Sequence, residues 1–226
     1  MKKKYRRNTA CYDSSSEKTT ELRQLIATET ARIYINEHFT DLRAAKLKAA
    51  DRLACHNKHD LPSNEEVEHA IKAYQRLFSS NEEIQKIKQI QQTAVTAMEF
   101  FESFRPRIVG ALANGSTKPD STIYLHLFTD HAEEVDWLLM EKRLPHDAFN
   151  KVYYVNQQKK SSVIPAYRFI ADEIPVELAV FPEITLRQQV RCSPKGRPIT
   201  RCNLAKFKQS ITCIEYDDHL SFSQKQ

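Results

Sequence analysis

Apolar residues recur every three or four positions through the first half of the chain and on alternate positions through much of the second, and the period changes near residue 105. Leu22, Leu25, Ile26 and Ile33 lie at helical spacing behind Ser14-Ser15-Ser16-Glu17, a capping-box start, and predict a first helix. Leu42, Ala45, Ala49 and Leu53 predict a second, ending between Cys55 and Asp60. Ser63 and Glu66 follow Pro62 as another start signal, with Val67, Ile71, Tyr74, Leu77 and Phe78 as one stripe. Ser80 and Glu83 repeat the cap, and Ile84, Ile87, Ile90, Ala94, Met98 and Phe101 run on to a break at Phe104-Arg105-Pro106. Stripes of this kind are core contacts.

Proline sharpens the division. Of nine prolines only Pro62 precedes residue 105, and proline is excluded from helix interiors, so long helices belong to the first half. The second half reads as strands at Arg107 to Ala111, Thr122 to Phe128, Lys151 to Val155, Ala166 to Ala171 and Pro175 to Phe181, with Asp172-Glu173 as a hairpin turn. Between them His131 to Leu144 predicts an amphipathic helix, with Val135, Leu138 and Leu139 inward. Leu204 to Ile214 predicts a short closing helix. The boundaries that follow are a flexible basic and polar tail over 1–16, a helical region over 17–105, an α/β domain over 106–202, and a C-terminal helix and tail over 203–226.

Composition adds exclusions. Apolar residues at 41% and charged residues at 28% suit a globular chain, and a length of 226 residues suffices to bury a substantial core. The net charge of +5 owes something to Lys2-Lys3-Lys4, Arg6 and Arg7, which serve equally as a solvated tail or a nucleic-acid arm. No run approaches the roughly 18 apolar residues that span a bilayer, and no apolar stretch follows the basic start as in a signal peptide, so the expectation is a cytoplasmic protein without a membrane. Five cysteines without a C-x-x-C pair give no disulfide framework or zinc ribbon. Cys55, His56 and His59 have the look of a ligand cluster, but a helix C-terminus that favours histidine explains them more simply.

Candidate chemistry centres on Phe104 to Phe128, which holds two of the three glycines in the chain. A strand leads to Asn114-Gly115-Ser116, a polar loop follows with Pro119 and Asp120, and an alternating strand begins at Thr122. Gly115 permits positive φ and close approach of a phosphate, which the Ser116 hydroxyl and neighbouring N–H groups would bind. An apolar-Gly, a Gly-Ser pair, a short loop and the strand ending LHLF resemble the polymerase-beta-like nucleotidyltransferase superfamily, in particular its small, poorly characterised bacterial members. The resemblance covers residues 104 to about 200. It implies an α+β fold, a helical N-terminal region packed with a small mixed-sheet nucleotidyltransferase-like domain. It also implies Mg²⁺ and ATP or another nucleoside triphosphate as cofactors, with the first two metal-holding acids at the positions of Thr122 and Tyr124 and the third at Glu177. Only the third acid is present, so the site is degenerate.

On the strand from Thr122 to Phe128, Ile123, Leu125 and Leu127 share one face and Thr122, Tyr124, His126 and Phe128 the other. On the strand from Pro175, Val176, Leu178 and Val180 are the apolar set, which turns Glu177 to the opposite side. Glu177 and His126 are therefore expected to face one cleft, as candidate catalytic residues. Asp120 is a further candidate acid and, with Glu177, a candidate metal ligand; its other reading is a turn residue behind Pro119. His126 is either a general base or metal ligand, or a satisfied structural partner. Gly115, Ser116, Arg168, Lys195 and Arg197 are the candidate nucleotide-binding residues. The last two lie in RQQVRCSPKGRPITR, five cations in fifteen residues without an acid, which reads equally as a phosphate site and as a solvated basic loop. Three functions stay open: transfer of a nucleotidyl group from a nucleoside triphosphate to an unknown acceptor, RNA or protein; non-catalytic binding of nucleotide or RNA; and a helical interaction scaffold.

Overall fold

A computed structural model describes residues 13–37, 39, 41–55, 57, 60–155, 161–194 and 196–211, with side chains from Thr20 onward. The fold is α+β. The chain gathers into two compact units, Met1–Ser79 and Ser80–Gln226. The basic cluster at 2–7, His56, His59 and Lys195 lie outside the described residues. Among the described residues no helix is long and apolar enough to cross a membrane.

The first unit holds α1 (Asp13–Asn36), α2 (Leu42–Arg52) and α3 (Asn64–Phe78). Helix α1 already runs through Ser14 to Glu17, where the sequence places its start and the end of a flexible tail. Ile26, Ala31 and Ile33 of α1 meet Ala45 and Ala49 of α2 and Val67 and Ile71 of α3. Leu25, expected in that stripe, is exposed. Asp41 caps α2 by accepting from the Arg43 N–H at 2.9 Å, and Ser63 and Glu66 form the expected capping box on α3. Lys46 is buried and donates to the Pro62 carbonyl at 2.8 Å and Asn64 Oδ1 at 2.7 Å, tying α2 to the start of α3.

The second unit opens with α4 (Asn81–Phe100), boxed at its start by Ser80 and Glu83. There follow β1 (Arg107–Val109), α5 (Ala111–Asn114), β2 (Ile123–Phe128), α6 (Glu133–Glu141), β3 (His146–Val155), β4 (Ser161–Ala171), β5 (Ile174–Phe181) and β6 (Val190–Arg191), then a helix α7 over 204–211. The sheet order is β1-β2-β5-β4-β3-β6, and among the described residues only the β2–β5 pair is parallel. Ile90, Ala94 and Met98 of α4 and Phe101, its C-cap, share one core with Ile123, Leu125, Leu127, Val176, Leu178 and Val180 of the sheet and Phe207 of α7. The helix that the sequence assigns to the N-terminal region thus packs as part of the sheet unit.

Strands β3 and β4 are longer than the sequence suggests, because Pro165 does not end β4. It pairs opposite Asn150, and the β4–β5 ladder ends at Ala166↔Ala179, so the missing N–H falls outside that ladder. Asp172 and Glu173 form the expected hairpin turn, both with positive φ (49° and 66°). Helix α4 steadies it through Thr93 Oγ1 to Asp172 Oδ2 at 3.3 Å.

Candidate functional site

The parallel register of β2 and β5 decides which side chains meet. Tyr124 lies opposite Glu177, His126 opposite Ala179, and Phe128 opposite Phe181. With Ile123, Leu125 and Leu127 committed to the core under α4, these residues share the other face, as the alternation predicts. Thr122 lies just before β2, so Tyr124 is the direct neighbour of Glu177. The antiparallel ladders extend the face: Arg168 pairs with Glu177, Asp147 with Arg168, and Phe149 with Ala166. A second small core of Phe128, Tyr153, Ile164, Ala179, Phe181 and Val190 covers part of this face, with Leu186 and Ile199 packed against it.

Glu177 is buried, yet both its oxygens have cationic partners. Oε1 accepts from Lys151 Nζ and Oε2 from Arg168 at 3.2 Å. The Lys151 ammonium also lies 5.2 Å from the Tyr124 ring centre, and the Arg168 guanidinium 5.2 Å from that of Phe149. A carboxylate whose two oxygens each already accept from a cation has its charge compensated, so a metal ion there would compete with Lys151 and Arg168.

His126 is buried and its Nδ1 accepts from Arg201 Nε at 3.1 Å. That bond places the ring proton on Nε2. Burial, followed by the charges of Arg201 and Lys151, pushes its pKa down to about 3, so the ring is neutral at pH 7 and a poor proton acceptor. Arg201 spans the face: its NH1 donates to the carbonyls of Thr185 at 2.9 Å and Gln188 at 3.1 Å, and its Cζ lies 4.9 Å from the ring centre of Phe128 and 5.2 Å from that of Phe181. Burial, then the charge of Arg107, lowers its pKa to about 10, which still leaves it charged at pH 7. Among the described residues no carboxylate forms an ion pair with Arg201. His126 therefore serves to hold a half-buried guanidinium.

Asp120 sits exposed in the turn 118–121, which closes through the Ser121 N–H to the Lys118 carbonyl at 3.0 Å. Among the described residues no three His, Cys, Asp or Glu side chains come together as a metal site, so Glu177, His126 and Asp120 are not gathered into one. With Thr122 and Tyr124 where two acids are expected and Glu177 already paired, the donor set does not fit a two-metal centre.

The Gly-Ser turn also differs from its expected use. Gly115 has φ 72° and ends α5 as a left-handed cap. The N–H groups of Asn114, Gly115 and Ser116 donate back to the carbonyls of Gly110, Leu112 and Ala111 at 3.2, 3.4 and 2.9 Å, and Ser116 is buried. These groups are occupied in ending a helical turn. Arg197 is exposed, and Arg168 is the one candidate nucleotide-binding cation seen against Glu177. Lys151 is the residue that sequence reasoning missed, while Arg201, one of the five cations of the basic segment, proves to be the partner of His126. Lys151 carries a signal only in hindsight of the register, as one of the alternate positions Asp147, Phe149, Lys151 and Tyr153 on β3. Comparison with protein-family models, curated proteins and solved structures finds no match to this chain.

Proposed function

We propose that the sheet unit is a nucleotide-binding module that holds phosphate through side-chain cations and does not carry out nucleotidyl transfer. The observation that supports it best is Glu177 held between Lys151 and Arg168, each beside an aromatic ring. The resemblance to polymerase-beta-like nucleotidyltransferases gives the ligand class, and the residues at the acid positions, Thr122 and Tyr124, argue against transfer. Cations bind phosphate oxygens without a metal, and Tyr124 and Phe149 offer ring faces to a base. The same two rings favour a second reading, a short RNA strand, because base stacking tolerates any sequence.

The test is equilibrium binding of ATP and of an oligouridine strand, beside a labelled-ATP transfer assay against total cellular RNA and protein. The expected outcome is binding without transfer. Robust transfer by the wild-type chain, lost in Glu177→Gln, would contradict the proposal and return Glu177 to a catalytic role. Preference for the oligonucleotide over ATP selects the RNA reading.

A further inference from the structure

We infer that Lys151 and Arg168 form a phosphate subsite whose resident counter-ion is Glu177, so that the carboxylate opposes the incoming phosphate where a metal ligand would assist it. The inference rests on the nucleotide-binding reading and assigns the atoms that carry it.

Three exposures set the geometry. The Glu177 side chain is 5% exposed, while those of Lys151 and Arg168 are 33% and 57% exposed. The acid is thus fixed beneath two cations that solvent reaches. Each spends one donor on Glu177 in the bonds described above, whereas an ammonium has three donors and a guanidinium five. The remaining donors suit an anion arriving from solvent. The rings of Tyr124 and Phe149 flank the two charged groups themselves. Further positive charge lies on the same face in Arg201, which has no carboxylate partner among the described residues, and in Arg107, whose charge acts on it.

Glu177 holds the two cations in place through those bonds. When a phosphate binds, the same carboxylate becomes a like charge on the far side of those cations and weakens the hold. Replacing it by its neutral isostere therefore separates two views of the site. With metal chelated, a metal-ligand role for Glu177 predicts no gain in binding of a phosphate chain; a resident counter-ion predicts tighter binding.

The experiment is calorimetric titration of the full chain with inorganic tripolyphosphate in EDTA. Glu177→Gln is expected to tighten binding about tenfold, and Lys151→Met and Arg168→Gln each to weaken it about tenfold. Should Glu177→Gln not fold, as judged by circular dichroism, the wild-type chain still decides. Its Glu177 carboxyl carbon resonance is expected to shift on adding tripolyphosphate, and a resonance that stays still at saturation overturns the inference. Equal or weaker binding by a folded Glu177→Gln also overturns it. If ATP or oligouridine binds while tripolyphosphate does not, the subsite is wrong and the nucleotide-binding reading stands. If none of the three binds, both fall.

Discussion

His126 is paired with Arg201 as a neutral acceptor, and protonating it would place a second positive charge beside a half-buried guanidinium. With a folded pKa near 3 against about 6.5 unfolded, the unfolded chain takes up the proton first as the pH falls. The stability that this residue confers is thus complete above pH 6.5 and declines as the pH drops toward 3, at about 1.4 kcal/mol per pH unit. Urea unfolding between pH 6.5 and 5 is expected to show that slope, and His126→Asn, which cannot titrate, to flatten it. An unchanged slope in the variant would contradict the assignment. His146 has the opposite sign: the Leu144 carbonyl and Asp136 raise its pKa, so its contribution is full below pH 6.5 and disappears as the pH rises through the folded value. Glu173 gives a second prediction at this scale. A non-glycine residue at φ 66° carries backbone strain, so Glu173→Gly is expected to raise stability to urea by about 1 kcal/mol. A lower midpoint would show that the Glu173 side chain outweighs the strain.

At the scale of elements, the long helices, their capping boxes and the alternation on β2 and β5 were legible in the sequence because each is a local pattern. Ser63 with Glu66 and Ser80 with Glu83 cap the helices they precede, and Glu177 faces away from Val176, Leu178 and Val180 as the period of two requires. Register and partner choice were not legible. Nothing local says that β5 lies parallel to β2 and antiparallel to β4, yet those ladders bring Arg168 to Glu177 and carry β3, with Lys151, to the same face. The Gly-Ser turn misled for a related reason: Gly115 suits a left-handed helix cap as well as a phosphate loop, and only the hydrogen bonds of the turn distinguish them. The place of α4 is likewise tertiary information, and it makes a prediction. Met98 is fully buried against the sheet, so Met98→Ala should cost about 3 kcal/mol. The fluorescence of Trp137, the only tryptophan, lies in the same unit and reports the loss. A fluorescence transition that does not move would place α4 outside the sheet core.

At the scale of the molecule, each unit has its own core, which predicts that residues 80–226 fold when expressed alone, with a cooperative, fluorescence-detected thermal transition. A non-cooperative melt would contradict that division. The function proposed above has phosphate held by Lys151, Arg168 and their cationic neighbours without a divalent metal. The most direct measurement is calorimetric titration of ATP into the full chain, once in EDTA and once in Mg²⁺. Binding is expected to persist under chelation, at least as tight as with Mg²⁺, because free ATP presents more negative charge to the cations. Binding that vanishes in EDTA and returns with Mg²⁺ would contradict it.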